Sequence, residues 1–399
     1  MANVQNQART LLEIDGITTA RQREVLYAIV SAGTIRGASR ALSVSQRAIQ
    51  KAVAGVKKKA ARKGWAPESD MDKVSAPGFN VKGTSTLYDS EGNVRAQWVK
   101  TKADSAGDPE SILDALSGIL EPLRGKAPDI PAPARSDPDI LSVYPIGDPH
   151  IGMYSWGAES GDEGYDLASA EGMMEQSITD LVSRSPRSRQ ALVVLLGDFF
   201  HADSLDSRTR GHGHVLDVSE RWTKVMRVGV RIARHIIEQA LKHHEIVKVE
   251  TLVGNHDEHS SVMLALTIEA FFENHPRVEV STNPGIFRYM RWGDVLIGMA
   301  HGHTCKIQSL PGVMAVDRAP DWGETKHRVW LTGHRHHRAI DEFPGVTVET
   351  FRSPAPMSLY EAGAGFRSAR DLQAIFYHQE VGEIGRNRID TSGWARRKK

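Results

Sequence analysis

Residues 191–203 read ALVVLLGDFFHAD. Six consecutive apolar residues run into a glycine and an aspartate. A strand with one wet face alternates apolar and polar residues, whereas an unbroken apolar run suits a strand covered on both faces. The same shape recurs four times. LSVYPI leads to Gly147-Asp148-Pro149-His150, and IVKVETLV to Gly254-Asn255-His256-Asp257. DVLIGMA leads to His301-Gly302-His303, and VWLT to Gly333-His334-Arg335-His336. Strands that end this way line up their polar residues along the carboxyl edge of a sheet, where α/β folds build sites. Helical stretches are expected at 168–184 and 221–243. In the second, Trp222, Val225, Met226, Val230, Ala233, Ile237 and Leu241 fall on one stripe. The fold class expected over 141–399 is α/β.

Asp, Asn and neutral His offer hard oxygen and borderline nitrogen ligands. That mixture suits Mn, Fe, Zn or Mg and fits a thiolate zinc site poorly. A single Gly-Asp pair is usually a turn, and a single strand-end histidine is usually structural. Five such segments in order, D-x-H, G-D, G-N-H-[DE], H and G-H-x-H, resemble the signature of the calcineurin-like metallophosphoesterases over residues 141–345. The resemblance implies a β-sandwich flanked by helices and two divalent ions, Mn²⁺ foremost, with Mg²⁺, Fe²⁺ or Zn²⁺ as alternatives. It gives Asp148, His150 and His336 to one ion, and Asn255, His301 and His334 to the other. Asp198 bridges them. His256 becomes the acid beside the phosphate, with Asp257 as its orienting partner. His301 and His303 compete for one position. His301 follows directly on its strand and is preferred, which leaves His303 supporting it from behind. The implied chemistry is in-line attack on phosphorus by a hydroxide shared between the ions, with His256 protonating the leaving alkoxide. Such a reaction needs no Ser or Cys nucleophile, and Cys305 is expected to be a packing residue.

Within that family, GDFFHADS (197–204) is similar to the branch of DNA-repair-type nucleases. The similarity makes His201 and Asp203 candidates for supporting the site or contacting substrate. The stretch 204–222, with Arg208, Arg210 and Arg221, reads as a loop over the site. The expected activity is that of a metal-dependent phosphodiesterase, foremost a DNA nuclease, exo- or endonucleolytic. The alternative is a DNA-binding regulator whose phosphoesterase acts on a small nucleotide or a phosphoprotein.

The amino-terminal region points to DNA on separate grounds. Residues 1–65 hold 12 Lys+Arg and 3 Asp+Glu, a net of +9, while the whole chain of 399 residues is +1. A basic head on an acidic body suggests a nucleic-acid partner. Val25, Leu26, Ile29 and Val30 fall at helical spacing, and Gly33 stops that helix. Ile35, Ala38 and Leu42 form a second short face. Ser43-Val44-Ser45 makes a turn, and Ser45 caps a helix that turns Ile49, Ala52, Val53 and Val56 inward. Gln46, Arg47, Gln50, Lys51 and Lys57 to Lys59 then face outward. This resembles a homeodomain-like helix-turn-helix of the kind found in tailed-phage proteins, with Ser43 where glycine is commoner.

Three segments are expected: a helix-turn-helix domain at 1–65, a connector at 66–140 and the phosphoesterase domain at 141–399. Residues 83–102 alternate about Ser90-Glu91-Gly92-Asn93 as a β-hairpin, with Tyr88, Val94 and Trp98 on one face. Residues 111–123 read as an amphipathic helix, and 127–139, with four prolines, as a stiff linker. A phosphate loop is absent: six residues separate Gly118 from Gly125 where four are needed. A nuclease of this kind would therefore draw any ATP-driven motion from a separate ATPase partner. Composition supports a globular chain, with 40% hydrophobic and 25% charged residues. No apolar run is long enough to span a membrane. One cysteine, Cys305, permits no internal disulfide, and the first residues lack an apolar leader. The expected compartment is the cytoplasm, that of the host if the chain is phage-encoded.

Overall fold

The computed structural model describes residues 4–14, 17–66, 71–72, 79–88, 94–103, 123–203, 207–208, 213 and 215–394. The chain divides into two compact units, Met1–Ile119 and Leu120–Lys399.

The first unit opens with four helices: α1 (Val4–Glu13), α2 (Ala20–Ala32), α3 (Ile35–Ala41) and α4 (Gln46–Arg62). Their ends are written in the sequence. Thr19 and Gln22 form a reciprocal capping box, Gly33 closes α2 in the left-handed conformation, and Ser45 accepts the Ala48 N–H at the start of α4. Ser43 takes the turn at φ 53°. Leu26, Ile29, Ala38, Ile49 and Val56 share one buried cluster. Helix α1 was not foreseen, yet it adds Ala8 and Leu11 to that cluster. Strands β1 (Trp65–Ala66) and β2 (Met71–Asp72) pair antiparallel, as do β3 (Phe79–Tyr88) and β4 (Val94–Ala103), the arms of the expected hairpin. The turn at 90–93 and residues 111–122 of the helix expected at 111–123 lie outside the described residues, as do the side chains of Tyr88, Val94 and Trp98.

The second unit has two sheets. Strands β5 (Asp137–Ile146), β6 (Ser188–Leu195), β7 (Ile246–Thr251) and β8 (Val278–Ser281) run parallel. They are joined through helices α5 (Leu167–Ser183), α6 (Trp222–His243) and α7 (Ser260–Phe272). Strands β9 (Arg288–Trp292), β10 (Val295–Ala300), β11 (His327–Thr332), β12 (Ala339–Phe343) and β13 (Val346–Thr350) form the other sheet, in the order β12-β13-β11-β10-β9. Strands β14 (Asp371–His378) and β15 (Gly382–Asp390) complete the first, in the order β15-β14-β5-β6-β7-β8.

The apolar run 191–196 shows why this stacks as it does. Ala191, Val193 and Leu195 enter a cluster with Ile178, Ile232, Ile236, Leu264 and Ile268 of the three helices. Leu192, Val194 and Leu196 enter another with Val295, Ile297, Met299, Val329 and Leu331 of the second sheet. Successive residues of one strand thus face opposite layers, and both must be apolar. Helix α8 (Leu310–Asp317) covers the outer face of the second sheet through Leu310 and Met314 against Trp330. The order is helix, sheet, sheet, helix, a sandwich flanked by helices.

The proline-rich segment is fastened to this second unit. Leu123, Ala127 and Ile130 pack on its helical layer. The Gly125 and Ala127 N–H groups donate to the carbonyls of Ala270 and Phe271 at 2.8 and 3.2 Å, and Arg277 donates to the Ile130 carbonyl. Residues from 137 onward already belong to β5. What the sequence reads as a stiff linker is a strap, because its apolar residues between prolines find a surface.

Candidate metal centre

The polar segments expected at strand ends converge on one edge, because β5, β6 and β7 run parallel in one sheet and β10 and β11 run parallel in the other. At that edge the chain turns sharply. Asp148, His150, Asp198, His334 and His336 all have positive φ, between 44° and 71°. This left-handed region costs a residue with a Cβ about 1 kcal/mol or more. The surroundings hold it there: the His334 N–H donates to both Asp148 carboxylate oxygens at 3.0 and 2.8 Å, and the Ser353 hydroxyl to the Asp148 carbonyl at 2.7 Å. The glycines make room. A Cβ on Gly254 would collide with the Asp198 carboxylate and backbone, and one on Gly197 (φ 88°) would lie 2.7 Å from His301 Nδ1.

Three groups of ligand-type atoms result, each within 4.8 Å: Asp148, His150 and His336; Asp198, His301 and His334; and His150, His201 and His256. In the first, the Nε2 atoms of His150 and His336 face each other at 3.1 Å, with Asp148 Oδ1 3.5 Å from His336 Nε2. His336 Nδ1 meets the Glu361 carboxylate at 2.6 Å. In the second, His301 Nδ1 donates to the Leu196 carbonyl at 2.7 Å, so Nε2 presents a lone pair. That lone pair faces Asp198 Oδ2 and Asn255 Oδ1, both at 3.3 Å. Asn255 therefore joins this group. With the rings neutral these donor atoms converge, and a cation can take the place of the proton that otherwise links them.

The charge balance agrees. Burial pushes His150 well down, His201 to about 3 and His334 to about 4, leaving neutral rings with ligand lone pairs. Burial opposes charge on His301 and His336 too. Asp198 nevertheless holds His301 up to about 9, and Asp148 with Glu361 holds His336 well above the usual imidazole range. The cluster attracts positive charge, and its residues fit divalent ions.

The other site candidates are sorted by their contacts. The His256 ring sits 4.9 Å from that of His150 and 5.4 Å from that of His201, centroid to centroid. Its Nδ1 donates to the His201 carbonyl at 2.8 Å. Orientation of His256 thus comes from His201, and Asp257 does not touch its ring. The Asp257 carboxylate is fully buried and accepts from the N–H groups of Asp198, Gly254 and Phe200 and from the Ser261 hydroxyl. It binds the two loops to each other, which corrects its expected role as partner of His256. Asp203 is likewise committed. Its oxygens accept the N–H groups of His259 and Ser260 at 2.8 and 2.7 Å, capping α7 from another loop. His201 Nδ1 lies 3.2 Å from His150 Nδ1 and is buried. His303 stands beside His301 and His334, with ring centroids 5.1 and 6.1 Å away, and its buried Nδ1 has no hydrogen-bond partner among the described residues.

Glu361 was missed. The sequence shows only Ser358 and Glu361 as a capping box on a short helix, α9 (Leu359–Ala364), and nothing local says that Glu361 reaches His336. A pocket of about 700 Å³ is lined by Ile151, Gly152, Ala202, Ser219, Arg221 and Trp222 among others, and none of the candidate metal ligands lines it. Arg210 and most of the expected covering loop lie outside the described residues. In the amino-terminal unit, Gln46, Arg47, Gln50, Lys51, Lys58 and Lys59 are exposed on α4, and Lys57 is half-buried.

No family model matches this chain, and no curated protein sequence matches it. Solved structures do resemble it. A single mutant of Vps29 from Entamoeba histolytica is 15% identical over 62% of this chain and 98% of its own, with a TM-score of 0.29. A novel archaeal phosphodiesterase is 12% identical over 63% and 99%, at 0.31, and PhoD is 8% identical over 65% and 70%, at 0.30. Scores this low assign neither a family nor an activity.

Proposed function

We propose that this chain is a metal-dependent phosphoesterase of the calcineurin-like kind, acting on phosphodiesters, with DNA as its foremost substrate. The observation that carries the reading is the pair of converging lone-pair groups, His150 and His336 with Asp148, and His301 with Asp198 and Asn255. Asp148, His150 and His336 would hold one divalent ion. Asn255, His301 and His334 would hold the other, with Asp198 between them. When bound, such ions supply Lewis acidity for the charge that develops on a transferred phosphoryl group. The chain's own residues do the rest. The Leu196 carbonyl and Glu361 fix which nitrogen of His301 and His336 carries the proton. His256, held through Nδ1 by the His201 carbonyl, directs Nε2 outward beside His150, where in its protonated form it can donate to a departing alkoxide.

The preference for DNA rests on the exposed polar and basic face of α4 and the +9 charge of residues 1–65. A second reading, hydrolysis of a small nucleotide, is favoured by the 700 Å³ pocket whose lining includes Ile151 and Ala202, the residues that follow His150 and His201 in sequence. One assay separates them. The protein with Mn²⁺ is given linear, nicked and single-stranded DNA, cyclic nucleotides and bis-p-nitrophenyl phosphate. Cleavage of the aryl diester and of DNA supports the first reading. Cleavage of the aryl diester and a nucleotide but not DNA favours the second. Inactivity on every substrate with any of Mn²⁺, Mg²⁺, Fe²⁺ and Zn²⁺ overturns both.

A further inference from the structure

We infer that Glu361 is a positioning residue for one half of the metal centre, acting through His336 and leaving the other half to be organised differently. The inference rests on the dinuclear reading above. Glu361 lies in α9, beyond the segment that carries the ligand motifs, and its side chain is 15% exposed. One carboxylate oxygen, Oε1, lies 2.6 Å from His336 Nδ1. The other, Oε2, accepts the Ser358 N–H and hydroxyl, both at 2.8 Å. An ionised carboxylate only accepts, so Nδ1 of His336 carries a proton, and the neutral ring, as a cation would bind it, turns an Nε2 lone pair toward His150 Nε2 and Asp148 Oδ1.

The two groups differ in this respect. His301 is oriented by a neutral backbone carbonyl, Leu196 O, whereas His336 is oriented by a charged side chain. A carboxylate behind an imidazole raises its basicity and strengthens its bond to a cation more than an amide carbonyl does. His336 also follows a positive-φ backbone at 54°, and Arg335 and His337 on either side of it are exposed. The other contacts of the ring, to His150 and Asp148, are with atoms that would share the ion. Because Ser358 pins the second oxygen, the capping box of α9 fixes the carboxylate that fixes the ring.

The test is metal binding by the apo-protein, followed calorimetrically with Mn²⁺, on the wild type, Glu361→Gln, Glu361→Ala and Ser358→Ala. Two ions are expected for the wild type. Glu361→Gln keeps an acceptor but removes charge, and should weaken one of the two ions about tenfold. Glu361→Ala should weaken that same ion by up to about 100-fold, the range found for such partners, and leave the other within about twofold. Ser358→Ala, which removes the cap hydroxyl but leaves the carboxylate, should lose clearly less than Glu361→Ala. Fewer than two ions in the wild type overturns the dinuclear reading itself. Two ions in the wild type with unchanged binding in both Glu361 variants overturns this inference alone. So does equal weakening of both ions, or a loss in Ser358→Ala as large as in Glu361→Ala, since either marks a merely structural effect of α9. If Glu361→Ala does not fold, Glu361→Gln decides: a one-site loss supports the role and unchanged binding refutes it.

Discussion

Asp198 belongs to the donor group of His301 and His334 and is proposed to bridge to the other. Its Oδ1 accepts the His256 N–H at 2.8 Å and its Oδ2 faces His301. Replacing it with Asn keeps the shape and removes a charge both ions are proposed to share. Asp198→Asn is therefore expected to weaken both ions, read as lower metal content after dialysis, whereas loss of only one would contradict a bridging position. His256 makes a different prediction, because it is proposed as the acid, although its ring also stands in a ligand-type group with His150 and His201. His256→Asn should retain metal and slow the hydrolysis of substrates with alkoxide leaving groups by about 10²- to 10⁴-fold. Activated aryl diesters, whose leaving groups need little protonation, should suffer less. Equal losses on both substrates would remove the acid role. The residue scale was only partly legible in the sequence. Asp148, His150, Asp198, Asn255, His301, His334 and His336 could be picked out because a strand end next to a glycine is a local pattern. Asp257 looked like a partner of His256 because the two are adjacent in sequence. Adjacent side chains leave a turn in different directions, and Asp257 turned inward to three backbone N–H groups.

At the scale of elements, the ends of helices carry more than helix stability. Helix α7 has no side-chain cap of its own, and Asp203 supplies one from the loop after β6. Asp203→Ala should destabilise the protein by about 1–2 kcal/mol, measured by denaturant unfolding, with KM for a small phosphodiester unchanged. A raised KM without loss of stability would restore Asp203 to the substrate. The helices of the first unit could be read because caps and stops are local: Thr19, Gly33 and Ser45 stand at the ends where they act. Helix α1 escaped notice because its apolar residues are few, and Ala8 and Leu11 become a face only against α2.

At the scale of the molecule, the strap at 123–136 changes where the second unit begins. A fragment starting near Asp137 would uncover the helical surface that Leu123, Ala127 and Ile130 occupy. A fragment from Leu120 should fold, bind metal and hydrolyse a small phosphodiester, and it should melt at a higher temperature than one from Asp137. Equal melting temperatures would show that the strap contributes nothing. The Leu120 fragment should also lose most of the affinity for duplex DNA. In the full chain, Arg47→Ala with Lys51→Ala should reduce the salt dependence of DNA binding by about two phosphate contacts and leave small-substrate turnover unchanged. If the fragment binds duplex DNA as well as the full chain does, the amino-terminal unit is not the DNA-binding part.

The sequence by itself determined the class of the second unit and the residue types at its edge. Runs such as ALVVLL are explicable only by burial on both faces, and each ends in atoms suited to a hard cation. It also determined the helix ends of the first unit, which depend on neighbours one turn away. The tertiary structure decided which ligand-type atoms face one another, because His150 and His336 are 186 positions apart and meet only when two sheets stack. It decided that Glu361 stands behind His336, that Asp257 and Asp203 serve the backbone, and that a proline-rich stretch lies against a helical layer. In each of these cases the partner is distant along the chain. A side chain's local pattern states what it can bond to, and only the packed fold states what is within reach.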